Sequence, residues 1–210
     1  MYNKYMKKKI FILILIAILS FPIVACNNTY IERKLDISTS DIALLTLYSD
    51  DGKNESNFLA RNYGHSFVAI TNIGSEIITT GDMPVTTNET ITIGLWSILE
   101  HFGIWYNVES NYIKETNKYN GRLSITIGLS QDDIAKINQI IGKNASWTPW
   151  YNCSKFALDI WNSVATESEK IYTKLFTSPG YLVKEIKNFS NYETNKICET
   201  STQVRYYGEV

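Results

Sequence analysis

Cys153 and His65 are the side chains of this sequence best suited to nucleophilic chemistry. A thiol attacks a carbonyl as its thiolate, and it needs a base within hydrogen-bond reach and a group to orient that base. The chain offers these parts sparingly: two histidines, His65 and His101, and three cysteines, Cys26, Cys153 and Cys198. Cys153 lies in Trp150-Tyr-Asn-Cys-Ser-Lys-Phe-Ala-Leu-Asp-Ile-Trp. The spacing of Phe156, Ala157, Ile160, Trp161 and Val164 predicts a helix that begins near Asn152 or Cys153. The first turn of a helix carries N–H groups without intrahelical acceptors and the positive end of the dipole. Both favour a thiolate, and such sites lower a cysteine pKa to roughly 3.5–7.5. The same N–H groups can hold an oxyanion, with Asn152, Tyr151 and Trp150 as candidates to line the oxyanion and substrate side. His65 lies in Tyr63-Gly-His-Ser-Phe-Val-Ala-Ile, at the start of a predicted strand, and Gly64 before it permits close backbone approach.

Gly64-His65 leading into an apolar strand, followed far downstream by Asn152-Cys153-Ser-Lys-Phe156-Ala157 opening a helix, resembles the circularly permuted NlpC-like branch of the papain-like cysteine hydrolases. In that branch the histidine strand precedes the cysteine helix, as here. The resemblance implies a cysteine nucleophile, a histidine base and a third polar residue on a neighbouring strand. It also implies cleavage of cell-wall peptide or amide bonds, or acyl transfer as in some permuted members. The third residue follows from counting. If residues 66–72 and 76–81 form a hairpin turning at Ile73-Gly74, His65 falls opposite Asp82, the first candidate to orient the ring. His101 and Glu76 are the alternatives.

Other chemistry finds little support. Two histidines and scattered acids lack a metal-ligand spacing such as HExxH, and no cofactor is implied. Neither a phosphate loop nor a Gly-x-Ser-x-Gly elbow occurs. In an oxidising compartment Cys153 and Cys198 can instead form a disulfide, which is the competing reading of both residues.

The elements that must position these groups read as α+β: an antiparallel sheet or partial barrel packed against a few helices, permuted papain-like in order. Residues 41–49 are an apolar run of strand length, and residues 89–96 and 103–109 are further strands. Residues 121–129 alternate, with Leu123, Ile125, Ile127 and Leu129 inward and Arg122, Ser124 and Thr126 outward. Ser130 caps a helix with the stripe Ile134, Ile137, Ile140 and Ile141, which stops near Gly142 to Asn144. Ser178-Pro179 starts a short helix through Ile186, and residues 203–207 suit a last strand.

The amino terminus sets the expected location. Lys4, Lys7, Lys8 and Lys9 precede an apolar run over residues 10–25, the plan of a secretory signal. Ile23-Val24-Ala25-Cys26 resembles the lipobox of bacterial lipoproteins, which implies cleavage before Cys26 and diacylation of its sulfur. Two acyl chains anchor stably where one does not. The expected organisation is a lipoprotein signal peptide over 1–25, a polar tether over 26–40 and one domain over 41–210. The 185 residues beyond the signal suffice for a sizeable core. They hold 16 basic and 21 acidic residues, a net charge of about −5, and no basic patch, so nucleic acid is not an expected partner.

These readings converge on a monomeric, membrane-anchored extracytoplasmic cysteine hydrolase. Its expected partners are the membrane, through Cys26, and an amide or ester in cell-envelope peptide, the peptidoglycan stem above all. Two other readings stay open. One is a non-catalytic surface lipoprotein that binds glycan, peptide or protein. The other is an acyltransferase that shares the first half-reaction.

Overall fold

Antiparallel pairing organises the chain, and the register of each strand decides which layer its side chains enter. A computed structural model describes residues 37–53, 64–98, 100–173, 176–200 and 203–209. The expected signal peptide, Cys26 and all of the expected tether before residue 37 lie outside the described residues. Among the described residues, no helix is long and apolar enough to cross a membrane.

The architecture is α+β. In chain order come β1 (Ala43–Asp50), β2 (His65–Asn72), β3 (Ile78–Thr80), β4 (Met83–Val85), β5 (Thr90–Ile98) and β6 (His101–Tyr106). Then follow α1 (Val108–Thr116), β7 (Leu123–Leu129), α2 (Gln131–Ile141), α3 (Cys153–Val164), α4 (Pro179–Ile186), β8 (Glu193–Thr194) and β9 (Arg205–Tyr206). Among the described residues, seven strands make one sheet in the order β8-β7-β1-β2-β5-β6-β9, open at both edges rather than closed into a barrel, and β3-β4 is a separate hairpin.

The sheet separates two cores. Alternate residues of β1, β2, β5 and β7, such as Leu45, Val68, Ile93 and Ile125, face α2, α3, α4 and the β3-β4 hairpin in the main core. The opposite face carries a smaller aromatic core: Tyr48, Phe67, Trp96, Val108, Tyr119 and Cys198, with Tyr112 and Ile113 of α1 against it. Sequence alternation correctly sends Leu123, Ile125, Ile127 and Leu129 to the main core. Its outward set is buried too, because this second layer covers Arg122, Ser124 and Thr126. Thr126 bonds Thr46 Oγ1 at 3.0 Å, and Arg122 donates to the carbonyls of Asn195 and Lys196.

Helix starts match local chemistry. Ser130 and Asp133 form a reciprocal capping box on α2, Asn152 Oδ1 accepts the Lys155 N–H on α3, and Ser178 caps α4 ahead of Pro179.

Two expectations are corrected. Residues 66–72 and 76–81 do not pair with each other: β2 lies between β1 and β5, while β3 turns at Gly81-Asp82 to pair with β4. Asn72 is the cause. Its side chain donates to the Glu76 and Val85 carbonyls and accepts from Gly74 N, turning the chain away from the sheet. The strand expected over 103–109 ends at Tyr106 instead. Asn107 adopts a left-handed conformation (φ 63°) and starts α1, whose sequence shows little apolar stripe.

Gly64 sets the approach to His65. It is left-handed (φ +72°), and a Cβ there would lie 2.2 Å from the Asp50 carbonyl oxygen and 2.9 Å from Pro179 Cβ. Gly64→Ala is expected to cost about 1–3 kcal/mol. Urea denaturation of the full chain checks this, and an unchanged midpoint would count against the tight packing of α4 on this turn.

Candidate active site

The β2–β5 ladder pairs Val68 with Ile93 and stops there, although β2 runs back to His65 and β5 on to Ile98. Into this split comes the first turn of α3, with Cys153 as its first residue. The Ser66 backbone N–H donates to the Cys153 sulfur. A backbone donor beyond the end of the β2–β5 ladder thus serves the Cys153 sulfur.

His65 projects from the start of β2 on the aromatic side of the sheet, and is 7% exposed. Its Nε2 lies 3.0 Å from Glu109 Oε1. With Nε2 so engaged, Nδ1 is the ring nitrogen left for Cys153, to which the ring is hydrogen-bonded. Trp96 packs against the imidazole at 4.3 Å between centroids, with Tyr119 at 5.6 Å and Phe67 at 6.0 Å. Aromatic faces around a cationic ring favour its charged form.

Glu109 is fully buried at the second position of α1, where the dipole favours a negative charge. Its Oε1 also accepts from Trp96 Nε1 at 2.9 Å, and its Oε2 from Thr92 Oγ1 at 3.0 Å. Thr92, Gly94 and Trp96 are alternate residues of β5 on one face. Gly94 between them makes the room: a Cβ there would sit 1.7 Å from Glu109 Oε1.

The electrostatics follow. Burial alone would lower the His65 pKa, but the charge and hydrogen bond of Cys153, then those of Glu109, raise it to about 9. Burial alone would raise the Cys153 pKa, but the His65 charge and hydrogen bond, then the Ser66 N–H, hold it below the ordinary thiol value. Between those two pKa values the pair is thiolate and imidazolium. Cys198 is the contrast. Burial first, then the Glu109 charge, pushes its pKa up to about 12. Cys153 and Cys198 are both free thiols, so a disulfide between them does not form in this structure.

A chain of buried hydroxyls fixes where α3 begins. Ser154 Oγ lies 2.9 Å from Ser66 Oγ, and Ser66 Oγ lies 2.8 Å from Ser49 Oγ. Ser49 donates to the Pro179 carbonyl at 2.9 Å. A carbonyl only accepts, so Ser66 donates to Ser49 and Ser154 to Ser66.

The remaining sequence candidates separate. Asp82 is not brought to His65: it lies in the β3-β4 turn, where its carboxylate accepts from Arg205 at 2.7 Å and Gly208 N at 2.8 Å. Glu76 is exposed in the loop after β2, with its backbone carbonyl on Asn72. His101 begins β6, edge-on to Trp105 at 4.6 Å and 5.9 Å from Trp96. The Asn152 side chain is not free for an oxyanion, because its Nδ2 donates to the Thr177 carbonyl at 2.9 Å while its Oδ1 caps α3. Tyr151 turns its hydroxyl to Asp159, and burial, then that carboxylate, raises its pKa to about 12. Trp150 is exposed. The oxyanion donors that remain are the N–H groups of Cys153 and Ser154, which the first turn of α3 leaves without intrahelical acceptors. Among the described residues, no three His, Cys, Asp or Glu side chains group as a metal site.

Comparison with family models, curated proteins and solved structures finds no match. Sequence spacing alone does not point to Glu109, the carboxylate bonded to His65. Its signal is a glycine inside the otherwise regular strand Thr90–Ile98, which marks a close approach from another element.

Glu109→Gln removes the charge that helps hold His65 protonated, so the His65 pKa falls and the Cys153 pKa rises. The iodoacetamide labelling rate of Cys153 at mildly acidic pH is expected to drop about tenfold, as for a shift of one pKa unit. Gly94→Ala is expected to do the same by displacing the carboxylate, and Asp82→Asn to leave the rate unchanged. Mass spectrometry of the labelled full chain reads all three, and an unchanged rate in Glu109→Gln would remove Glu109 from the site.

Proposed function

We propose that this protein is a cysteine hydrolase of amide or ester bonds, with Cys153 as nucleophile, His65 as base and acid, and Glu109 as the residue that orients and charges His65. The observation that carries the reading is the buried His65–Glu109 bond beside a thiol at a helix start. Three elements distant in sequence converge there, and burying a carboxylate against a histidine is costly unless the pairing is used or well compensated.

The thiolate attacks the carbonyl carbon, and the oxygen takes up the negative charge between the Cys153 and Ser154 N–H groups. The imidazolium gives its proton to the departing amine or alcohol, leaving a thioester on Cys153. Neutral His65 then takes a proton from water as the water attacks the thioester. The tetrahedral intermediate collapses to release the acid and restore the ion pair. The order of histidine strand before cysteine helix supports a permuted papain-like relationship. The lipobox-like Ile23-Val24-Ala25-Cys26 supports action at a bacterial envelope, on peptide material there.

Turnover is expected to fall as pH rises through about 9, because His65 then loses the proton it gives to the leaving group. It also falls below the Cys153 pKa as the thiolate is protonated. Cys153→Ser is expected to keep the fold and lose at least a thousandfold of activity on an activated ester or peptide amide. Wild-type protein quenched during turnover should carry an acyl adduct on Cys153 by mass spectrometry. Retained turnover in Cys153→Ser would end the proposal.

A further inference from the structure

We infer that Trp150 and Phe176 form an apolar subsite for a hydrophobic group flanking the carbonyl that Cys153 attacks, an inference that rests on Cys153 being the nucleophile. Trp150 lies three residues before Cys153. Phe176 precedes Thr177, whose carbonyl accepts the Asn152 side-chain amide at 2.9 Å. The residue that caps the Cys153 helix therefore also holds the Phe176 segment in place. The two rings stack at 4.7 Å between centroids with 22° between planes. They are nevertheless 69% and 54% exposed.

Trp150 is not left loose. Thr148 N donates to the Tyr151 carbonyl at 2.9 Å, and Tyr151 N donates to Thr148 Oγ1 at 2.9 Å. The turn that carries the indole is closed by its own hydrogen bonds, and the ring itself rests on Phe176. A large, water-facing aromatic pair on the two segments that the cap of the Cys153 helix ties together is better explained by a ligand than by the core, which neither ring joins.

The polar groups next to the rings in the chain bear on the ligand class. Asn152 spends its side chain on Lys155 N, Pro149 O and Thr177 O. Ser178 Oγ caps Tyr181 N, and the Tyr181 hydroxyl donates to the Tyr172 carbonyl. A sugar would need several directional donors and acceptors around its stacking face, and the Asn152 amide, which links the two ring-bearing segments, is spent on the backbone. An alkyl chain or an aromatic side chain needs only apolar contact, which the two rings supply.

The test measures second-order labelling of Cys153 in the full chain by N-methyl-, N-benzyl- and N-octylmaleimide, with N-acetylcysteine as the free-thiol reference. The benzyl-to-methyl or octyl-to-methyl rate ratio is expected to exceed the reference by roughly three- to tenfold, the size of one aromatic contact. In Trp150→Ala/Phe176→Ala that ratio should fall to within about twofold of the reference. A greater gain with octyl points to a linear acyl chain, and a greater gain with benzyl to a ring-bearing side chain. A wild-type ratio equal to the reference, or a raised ratio that survives in the double variant, would overturn the subsite. Labelling by every reagent no faster than N-acetylcysteine at acid pH would instead remove the nucleophile and the subsite with it. That outcome is distinct from a fast but unselective thiol.

Discussion

A fully buried carboxylate is the constraint around which the site is built. Glu109 has no access to water, so its charge persists only if the protein replaces the lost hydration. Four features do so: the amino end of α1, the Thr92 hydroxyl, the Trp96 indole N–H and the His65 ring. Each constrains something else. The α1 start requires the left-handed Asn107, whose side-chain oxygen accepts Thr92 N at 2.9 Å and so ties the helix to β5. The carboxylate needs a hole in β5, which Gly94 provides. His65 must sit at the strand end, where its second nitrogen reaches the sulfur.

The second constraint is the split between β2 and β5. A continuous ladder to the end of β2 would leave no place for the first turn of α3. The split costs backbone hydrogen bonds, each worth about 0.5–1.5 kcal/mol net. The Ser66 N–H recovers part of that on the Cys153 sulfur, and the Ser154–Ser66–Ser49 hydroxyl chain ties the same turn to β2, β1 and the start of α4. The thiol is positioned by hydrogen bonds at the sheet edge, while Phe156, Ala157, Ile160 and Trp161 hold the rest of the helix by apolar burial.

Much of this was legible in the sequence wherever one signal was local and strong. The stripe after Asn152, the Ser130 box and the alternation of residues 123–129 each fix an element and its face. Cys153 and His65 could be paired from rarity and context alone. The third residue could not, because choosing Asp82 assumed that neighbouring strands in sequence are neighbours in space. Asn72 breaks that assumption with hydrogen bonds that have no periodic signature. Glu109 was hidden for a related reason. The strand before it ends on an asparagine that accepts a left-handed turn, and the helix after it has too few apolar residues to announce itself. The second aromatic layer was likewise unreadable, since the residues beneath it are serine, threonine and arginine, which usually mean solvent.

The sheet divides the Cys153–His65 pair between two layers. The sulfur arrives with α3 from the main core, while the imidazole and its carboxylate belong to the aromatic layer behind. The carboxylate that supports the His65 charge and the approach to the sulfur therefore have different neighbours. Substitutions around Thr92, Trp96 and Tyr119 would retune the acid–base balance with the approach to the sulfur left intact. Changes in the turn before α3 would reshape that approach with the proton inventory untouched. The architecture is modular in the sense that matters for divergence: one layer can drift toward new molecules while the other preserves the chemistry.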